Sequence, residues 1–177
     1  MLARAPRHLH PDRPEPRCRM SAPTLPPPPV LLPMTHVACE VDELVSLGPA
    51  PYGERRFVPL GGGTVRGPEL NGEIVAGGVD WQIQRADGVL DIAAHYVIRT
   101  TDGALVEVRS EGMRHADPEV MQLLARGEAV PRERYFFRTV MRFQTGAPQW
   151  AHLNRTIAIA SGERQARRVL LDVYRLT

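Results

Sequence analysis

Across 177 residues the chain has no lysine and only two cysteines, few aromatic side chains (6%), and no long apolar run. Each shortage excludes something. Cys18 and Cys39 lack the spacing of a metal site or a disulfide framework, so a reduced, cytoplasmic setting is expected. All 22 basic residues are arginine and face 20 acidic ones, for a net charge of +2. That balance creates no field to draw nucleic acid or anionic lipid, so no nucleic-acid partner is expected. The longest apolar stretch falls far short of the roughly 20 residues a bilayer-spanning helix needs, so no membrane association is expected either. What remains is ordinary: 43% hydrophobic and 24% charged residues, enough for one soluble core.

Most of the 17 prolines fall in residues 1 to 35, including the run Pro26 to Pro29, and no apolar periodicity accompanies them. This segment is expected to be a disordered tail, with Met34 as an alternative start. Arg4, Arg7, Arg13, Arg17 and Arg19 do not make a targeting helix, because prolines separate them. Residues 36 to 177 form the expected domain.

From His36 onward, short apolar runs alternate with glycine-bearing turns, the pattern of an all-β barrel or sandwich. Nine strands are expected: 37–47, 56–65, 70–76, 79–84, 91–100, 104–112, 135–144, 156–161 and 168–176. Thr101-Asp102-Gly103 marks the clearest hairpin and Ala86-Asp87-Gly88 another turn. Ile92, Ala94, Tyr96 and Ile98 share an apolar face, whereas Asp91, Ala93, His95, Val97 and Arg99 share a mixed one that suits either solvent or a polar barrel interior. One short helix is expected, with Asp117 as N-cap, Pro118 in its first turn and Gly127 as its stop. Val120, Leu123 and Leu124 on one face would lay it against the sheet or across a barrel mouth.

Gly61-Gly62-Gly63-Thr64 resembles a phosphate loop in composition only. No Gly-Lys-Ser/Thr and no helix follows, so bulges that bend strands are the preferred reading. No histidine pair has metal-ligand spacing, and neither a metal nor a cofactor is expected. His115 and His95 are candidate general acids or bases, because imidazole titrates near neutrality. Arg138 and Arg142 share a strand face and could hold an oxyanion, or pair with Glu107 and Glu111 across strands. Asp80-Trp81 and Trp150 to Asn154 place an aromatic beside a polar group, a common way to line a pocket.

Val58 to Val65, Leu70-Asn71-Gly72, Gly77 to Trp81, Thr100 to Gly103, Gly112 to His115, Tyr135 to Thr139, Phe143 to Gly146, Trp150 to Asn154 and Leu171 to Tyr174, in that order, resemble the family known as domain of unknown function 3237, or uncharacterised protein family 0311. The resemblance covers nearly the whole domain. It implies a closed antiparallel β-barrel, lipocalin-like in outline, with a central cavity and no settled activity. By position it implies a pocket at Asp80, Trp81, Arg114, His115, Tyr135, Arg138, Trp150 and Asn154. One departure stands out. Ala93 and His95 occupy an expected Asp-x-Arg pair, which would leave His95 and nearby Asp91 to substitute.

Two functions stand side by side. In one, the barrel is a cofactor-independent isomerase, cyclase or lyase acting on a carbonyl-containing metabolite by proton transfer. Trp81 and Trp150 shape its cavity, Arg138 steadies an oxyanion, and His115 or His95 moves the proton. In the other, the same residues serve a small-molecule carrier without chemistry. A barrel filled by its own side chains would favour neither. Homo-oligomer formation is the default expectation.

Overall fold

The computed structural model describes residues 25–177. Cys18, His8, His10, the arginines from Arg4 to Arg19 and most of the expected tail lie outside the described residues. Nine strands form the sheet: β1 (Leu31–Val41), β2 (Val45–Ala50), β3 (Gly53–Arg66), β4 (Gly72–Gln84), β5 (Leu90–Thr100), β6 (Leu105–His115), β7 (Phe136–Gln144), β8 (Ile157–Arg164) and β9 (Arg168–Leu176). Consecutive strands from β3 to β9 pair antiparallel. β1 pairs with both β9 and β3, which closes an eight-stranded antiparallel barrel and leaves no free edge along most of its length. β2 continues in line with β1 along the first half of β3 and extends the wall beyond the closed ring.

The nine expected strands and the nine observed ones coincide in number through two compensating differences. The expected strand 37–47 breaks at residues 42–44 into β1 and β2, where Asp42 N–H turns to the Pro59 carbonyl. The expected strands 70–76 and 79–84 are one strand, β4, carrying a bulge. Val75 faces Val97 and Val79 faces His95, so Ala76, Gly77 and Gly78 stand against the single residue Tyr96. Gly77 takes a φ of 103°, and a Cβ on Gly78 would come within 2.6 Å of the Tyr96 Cβ. Glycine is thus required at both positions for β4 to bend around the barrel. The Gly61–Gly63 run lies inside β3, opposite a register shift between Leu60 and Gly63.

The ordered fold also begins earlier than residue 36. Leu31 to Pro33 pair with Tyr174 to Leu176, and Met34 is fully buried. Met34 therefore sits within a strand.

Alternation decides what faces inward. Val37, Cys39 and Val41 on β1, Ile92, Tyr96 and Ile98 on β5, Phe137, Thr139, Met141 and Phe143 on β7 and Ala158 and Ala160 on β8 are buried. The mixed face of β5 is the outer one. Among the described residues the single α-helix, α1 (Pro118–Ala125), follows Asp117 and is stopped by Gly127 at a φ of 76°. It buries Val120 and Leu124 and sets Met121, Leu124 and Ala125 at one barrel opening. A 3-10 helix over Pro148–Arg155 lies at the other end and buries Leu153. A second 3-10 turn, Arg132–Arg134, leads into β7.

Candidate functional site

Toward the end that carries the Pro148–Arg155 helix, Ile98, Val106, Val108 and Leu153 are fully buried. Toward α1 the interior holds two adjoining chambers that share Val41, Asp80, Ile92, Phe137 and Val169 in their linings. The mouth chamber, about 280 Å³, is lined by Arg56, Asp80, Gln82, Gln84, Arg114 and Arg164 among apolar side chains that include Met121, Leu124 and Phe137. Below it lies a slim inner chamber of about 50 Å³, lined by Val37, Cys39, Leu60, Ala94, Tyr96, Ser110, Thr139 and Leu171. Asp80 lines both and marks the junction.

Strand parity explains how these groups come together. On β4, Asp80, Gln82 and Gln84 recur every second residue and share the inner face. Arg56 of β3 is the partner of Gln82 in register, and Gly112 and Arg114 of β6 stand two strands on from Gln82 and Gln84. Arg164 ends β8 on the parity of Ala158 and Ala160. Gly162, between them, leaves room for the Phe137 ring, which a Cβ there would meet at 2.4 Å.

A chain of hydrogen bonds runs along the wall. Arg56 donates from Nη2 to Gln84 Oε1 at 3.3 Å and from Nε to Gln82 Oε1 at 3.2 Å, and Gln82 Nε2 donates to Asp80 Oδ2 at 2.6 Å. Tyr135 Oη accepts the Arg164 backbone N–H at 2.9 Å. Beyond this chain the polar groups are unanswered. Among the described residues, the buried side-chain polar atoms without a partner are Asp80 Oδ1, Arg114 Nε, Arg164 Nη1 and Tyr96 Oη, and all four belong to residues that line the two chambers. Native interiors answer nearly all such atoms, so their concentration at one place marks it out.

The electrostatics follow from burial. Burial pushes the Asp80 carboxyl up to about 6, against the opposing pull of the Gln82 hydrogen bond and of Arg114 and Arg164. Arg114 is lowered to about 10, first by burial and then by the like charges of Arg164 and Arg56. Burial also lowers Arg56 and Arg164. Deeper in, burial raises the Cys39 thiol to about 12, with Asp80 adding to the shift, and raises the Tyr96 phenol. Apart from Asp80 at the junction, the inner chamber is thus lined by neutral groups, whereas the mouth carries the guanidiniums of Arg56, Arg114 and Arg164.

Of the residues singled out from sequence, the structure brings Asp80, Arg114 and Tyr135 together here. The other six lie elsewhere. His115, Arg138 and His95 alternate with inward residues and stand exposed on the outer wall. His115 stacks on Phe136, Arg138 donates to the Phe137 carbonyl, and His95 Nε2 meets Glu107 Oε1 at 2.8 Å. Glu107 also takes Arg109, so the glutamates do not pair with Arg138. Trp81 packs outside against Phe57 and beneath the Arg55 guanidinium. Trp150 and Asn154 belong to the opposite end. There Trp150 Nε1 donates to Asp102, and Asn154 bonds the Thr145 backbone in both directions. Ala93 and His95 face outward as well, and Asp91 meets Arg85. The physical reason is parity: the outward neighbour of an inward residue carries equally suggestive chemistry. A wider groove of about 680 Å³ does lie outside, along Glu107, Arg109, Arg142, Asn154 and Arg155, but none of its polar atoms is buried and unpartnered.

The barrel fold has counterparts among known proteins. The family described as "Protein of unknown function (DUF3237)" matches residues 29–176. The chain belongs to this family. A UPF0311 protein of Bradyrhizobium diazoefficiens is 36% identical over 140 residues, 79% of this chain and 91% of that protein. Another from Rhodopseudomonas palustris is 34% identical over 140 residues, 79% of this chain and 92% of that protein. Among solved structures, a conserved protein of unknown function from Rhodopseudomonas palustris aligns with a TM-score of 0.81 at 32% identity, covering 86% of this chain and 100% of that one. A β-barrel-like protein from Acinetobacter baumannii aligns at 0.76 and 35%, covering 86% and 99%. An enzyme from Penicillium herquei aligns at 0.67 with 20% identity, covering 88% and 100%, a likeness of fold alone.

Arg56, Gln82, Tyr96, Cys39 and Arg164 escape the sequence reading. Asp80-x-Gln82-x-Gln84 is a legible period-two polar face, and Arg56 shares its parity with Val58 and Leu60. Arg164 lies beyond the expected end of its strand.

Proposed function

We propose that this barrel binds a small carbonyl-containing metabolite at its open end and moves a proton on it without a cofactor, as an isomerase, cyclase or lyase does. The observation that carries the reading is Asp80: a carboxyl at the junction of two chambers, with Oδ1 buried and unpartnered and its affinity for protons raised to about 6. Such a group is ionised for most of its population at neutral pH yet close enough to its titration point to take and return a proton. Arg114 and Arg164, desolvated and with donors to spare, are placed to hold the oxyanion that forms when a proton leaves the carbon beside a carbonyl. Gln82 fixes the Asp80 carboxylate through Oδ2 and leaves Oδ1 as the reactive oxygen.

A second reading has its own support. No histidine lines either chamber, so the proton-shuttling imidazole anticipated for an enzyme is missing, and the same arginines suffice for a carrier of anions. A thermal-shift screen of aromatic, terpenoid and polyketide-like acids and ketones identifies ligands, since a compound that binds only the folded chain raises its melting temperature. Each hit is then followed for turnover or for exchange of its α-hydrogen with deuterated solvent. Exchange with wild type that is lost in Asp80→Asn, with binding retained, supports catalysis. Binding without exchange or turnover favours the carrier.

A further inference from the structure

The two chambers differ in a way that specifies which kind of molecule fits. At the mouth, Arg56, Arg114 and Arg164 line the chamber with Asp80, and Arg56 also lies 3.9 Å from Glu54, leaving one positive charge in excess. Arg56 is already engaged by Gln82 and Gln84, whereas the Arg114 guanidinium, 5.8 Å above the Phe137 ring, and the Arg164 guanidinium have no side-chain hydrogen-bond partner. Leaving desolvated cations unpaired is costly, and an arriving anion removes that cost through charge-assisted, bidentate hydrogen bonds. Below Asp80 the lining carries no further charge and is mostly apolar. Val37, Leu60, Ala94 and Leu171 surround about 50 Å³. That is room for a few heavy atoms, since a single water needs about 10 to 15 Å³ of such space. The inner chamber therefore admits the tip of a ligand and not its body. Its lining includes Tyr96, whose hydroxyl is buried without a partner. The Ser110 hydroxyl donates to the Thr139 hydroxyl at 2.8 Å.

Building on the reading of this cavity as a ligand site, we infer that its ligand is an amphipathic acid bound in one orientation: an anionic head at Arg114 and Arg164 in the mouth, a flat apolar body beside Ile92 and Phe137, and a neutral oxygen at the inner tip against the Tyr96 hydroxyl. Hydroxyaryl alkanoic acids have this form. The depth of the cavity sets the order of groups. A ligand entering head first would carry its charge past the arginines into a chamber with no cation, while its apolar body would lie against the guanidiniums. The two neutral acids there, Cys39 and Tyr96, cannot compensate an anion. Tyr96 is then the specificity-determining residue for the inner end, and Arg114 for the outer.

The test uses three matched probes with the full chain: 3-(4-hydroxyphenyl)propanoate, which has both ends; 3-phenylpropanoate, which lacks the inner oxygen; and 3-(4-hydroxyphenyl)propanamide, which lacks the charge. Calorimetric titration of wild type is expected to rank the first probe tightest, with a loss of about tenfold for each missing end, the value of one well-made hydrogen bond in a desolvated site. In Tyr96→Phe, which removes only an unpartnered oxygen and preserves packing, the preference for the hydroxyl should fall below twofold while the preference for the acid persists. In Arg114→Gln the pattern should reverse. A hydroxyl preference that survives in Tyr96→Phe overturns the inner contact. Equal binding of acid and amide by wild type overturns the anionic head, and failure of all three to bind overturns the ligand class. These outcomes are separate from the role of Asp80: proton exchange that depends on Asp80 can stand while the probe ranking fails, and the ranking can hold while Asp80→Asn leaves exchange untouched.

Discussion

The two ends of the barrel treat an aspartate in opposite ways. At the closed end, Asp102 in the β5–β6 turn accepts hydrogen bonds from the Thr100 hydroxyl, Gln149 Nε2 and Trp150 Nε1, and these hold its carboxyl down at about 2. At the open end, Asp80 has one side-chain donor, Gln82, and burial outweighs it, so the carboxyl rises to about 6. Around Asp102 the polar groups are answered, and Leu153 is packed beneath the 3-10 helix. Around Asp80, four buried polar atoms are not. Each such orphan costs about 1 to 3 kcal/mol. The end whose polar groups are answered and the end whose polar groups are not belong to one barrel, and the proposed ligand site rests on that difference.

The largest expected effect breaks the open end. Asp80→Asn should lower turnover, or exchange of a ligand's α-hydrogen, by about hundredfold or more, the range for losing a general base. Its effect on stability should run the other way. Because the folded state raises the Asp80 pKa from 3.8 to about 6, the carboxyl stabilises the fold below about pH 4, and this contribution is lost as pH rises through 6. Asparagine does not ionise, so the variant should be more stable than wild type at pH 7.5, by up to about 3 kcal/mol, and no more stable at pH 4. Urea unfolding at both pH values checks this, and equal stability at pH 7.5 would refute the burial account. The closed end should behave in the converse manner. Leu153→Ala removes a fully buried side chain and should cost about 2 to 5 kcal/mol in the same assay, with ligand affinity changed by less than twofold. Arg114→Met comes next in size. It relieves a desolvated cation of its like-charged neighbours, so stability should hold within about 1 kcal/mol of wild type or rise, while binding of acids falls by tenfold or more.

How much of this was legible in the chain depends on strand geometry. The apolar face Ile92, Ala94, Tyr96 and Ile98 and the turn at Thr101 to Gly103 are local signals, and the structure has both. Closure is not local. β1 must bridge β9 and β3, and nothing within any one strand announces that partnership. The site inherits this difficulty, since Arg56, Asp80, Arg114 and Arg164 lie on four strands far apart in sequence. Arg114 and His115 are adjacent, and so are Phe137 and Arg138, yet one of each pair points into the cavity and the other into solvent. Ranking them by chemistry favours His115 and Arg138, because imidazole titrates near neutrality and guanidinium clamps anions. Ranking them by parity favours Arg114, since Gly112 and Ser110 before it continue the inner face of Val108 and Val106. The polar alternation Asp80, Gln82, Gln84 carries the same information. Amphipathic strands are ordinarily read with the polar face outward, which fails wherever a barrel is hollow.

The smallest expected effect sharpens the comparison by reversing its sign. Asp102 is stabilised as an anion by three donors, so its folded pKa lies below the unfolded 3.8. Its contribution is present above that value and is lost as pH falls toward 2, the reverse of Asp80. Asp102→Asn retains the shape of the side chain and one acceptor oxygen. It should therefore lower the melting temperature at pH 7 and approach wild type as the solution is acidified, with no change in ligand binding. The informative quantity is the difference in melting temperature between each variant and wild type, plotted against pH, because titrations common to both chains cancel in it. Asp80→Asn should give a curve that rises with pH through about 6, and Asp102→Asn one that falls between pH 2 and 4. Two curves of the same sign would mean that the mouth carboxylate is as well satisfied in solution as the one in the turn, and the case for Asp80 as a poised proton acceptor would go with it.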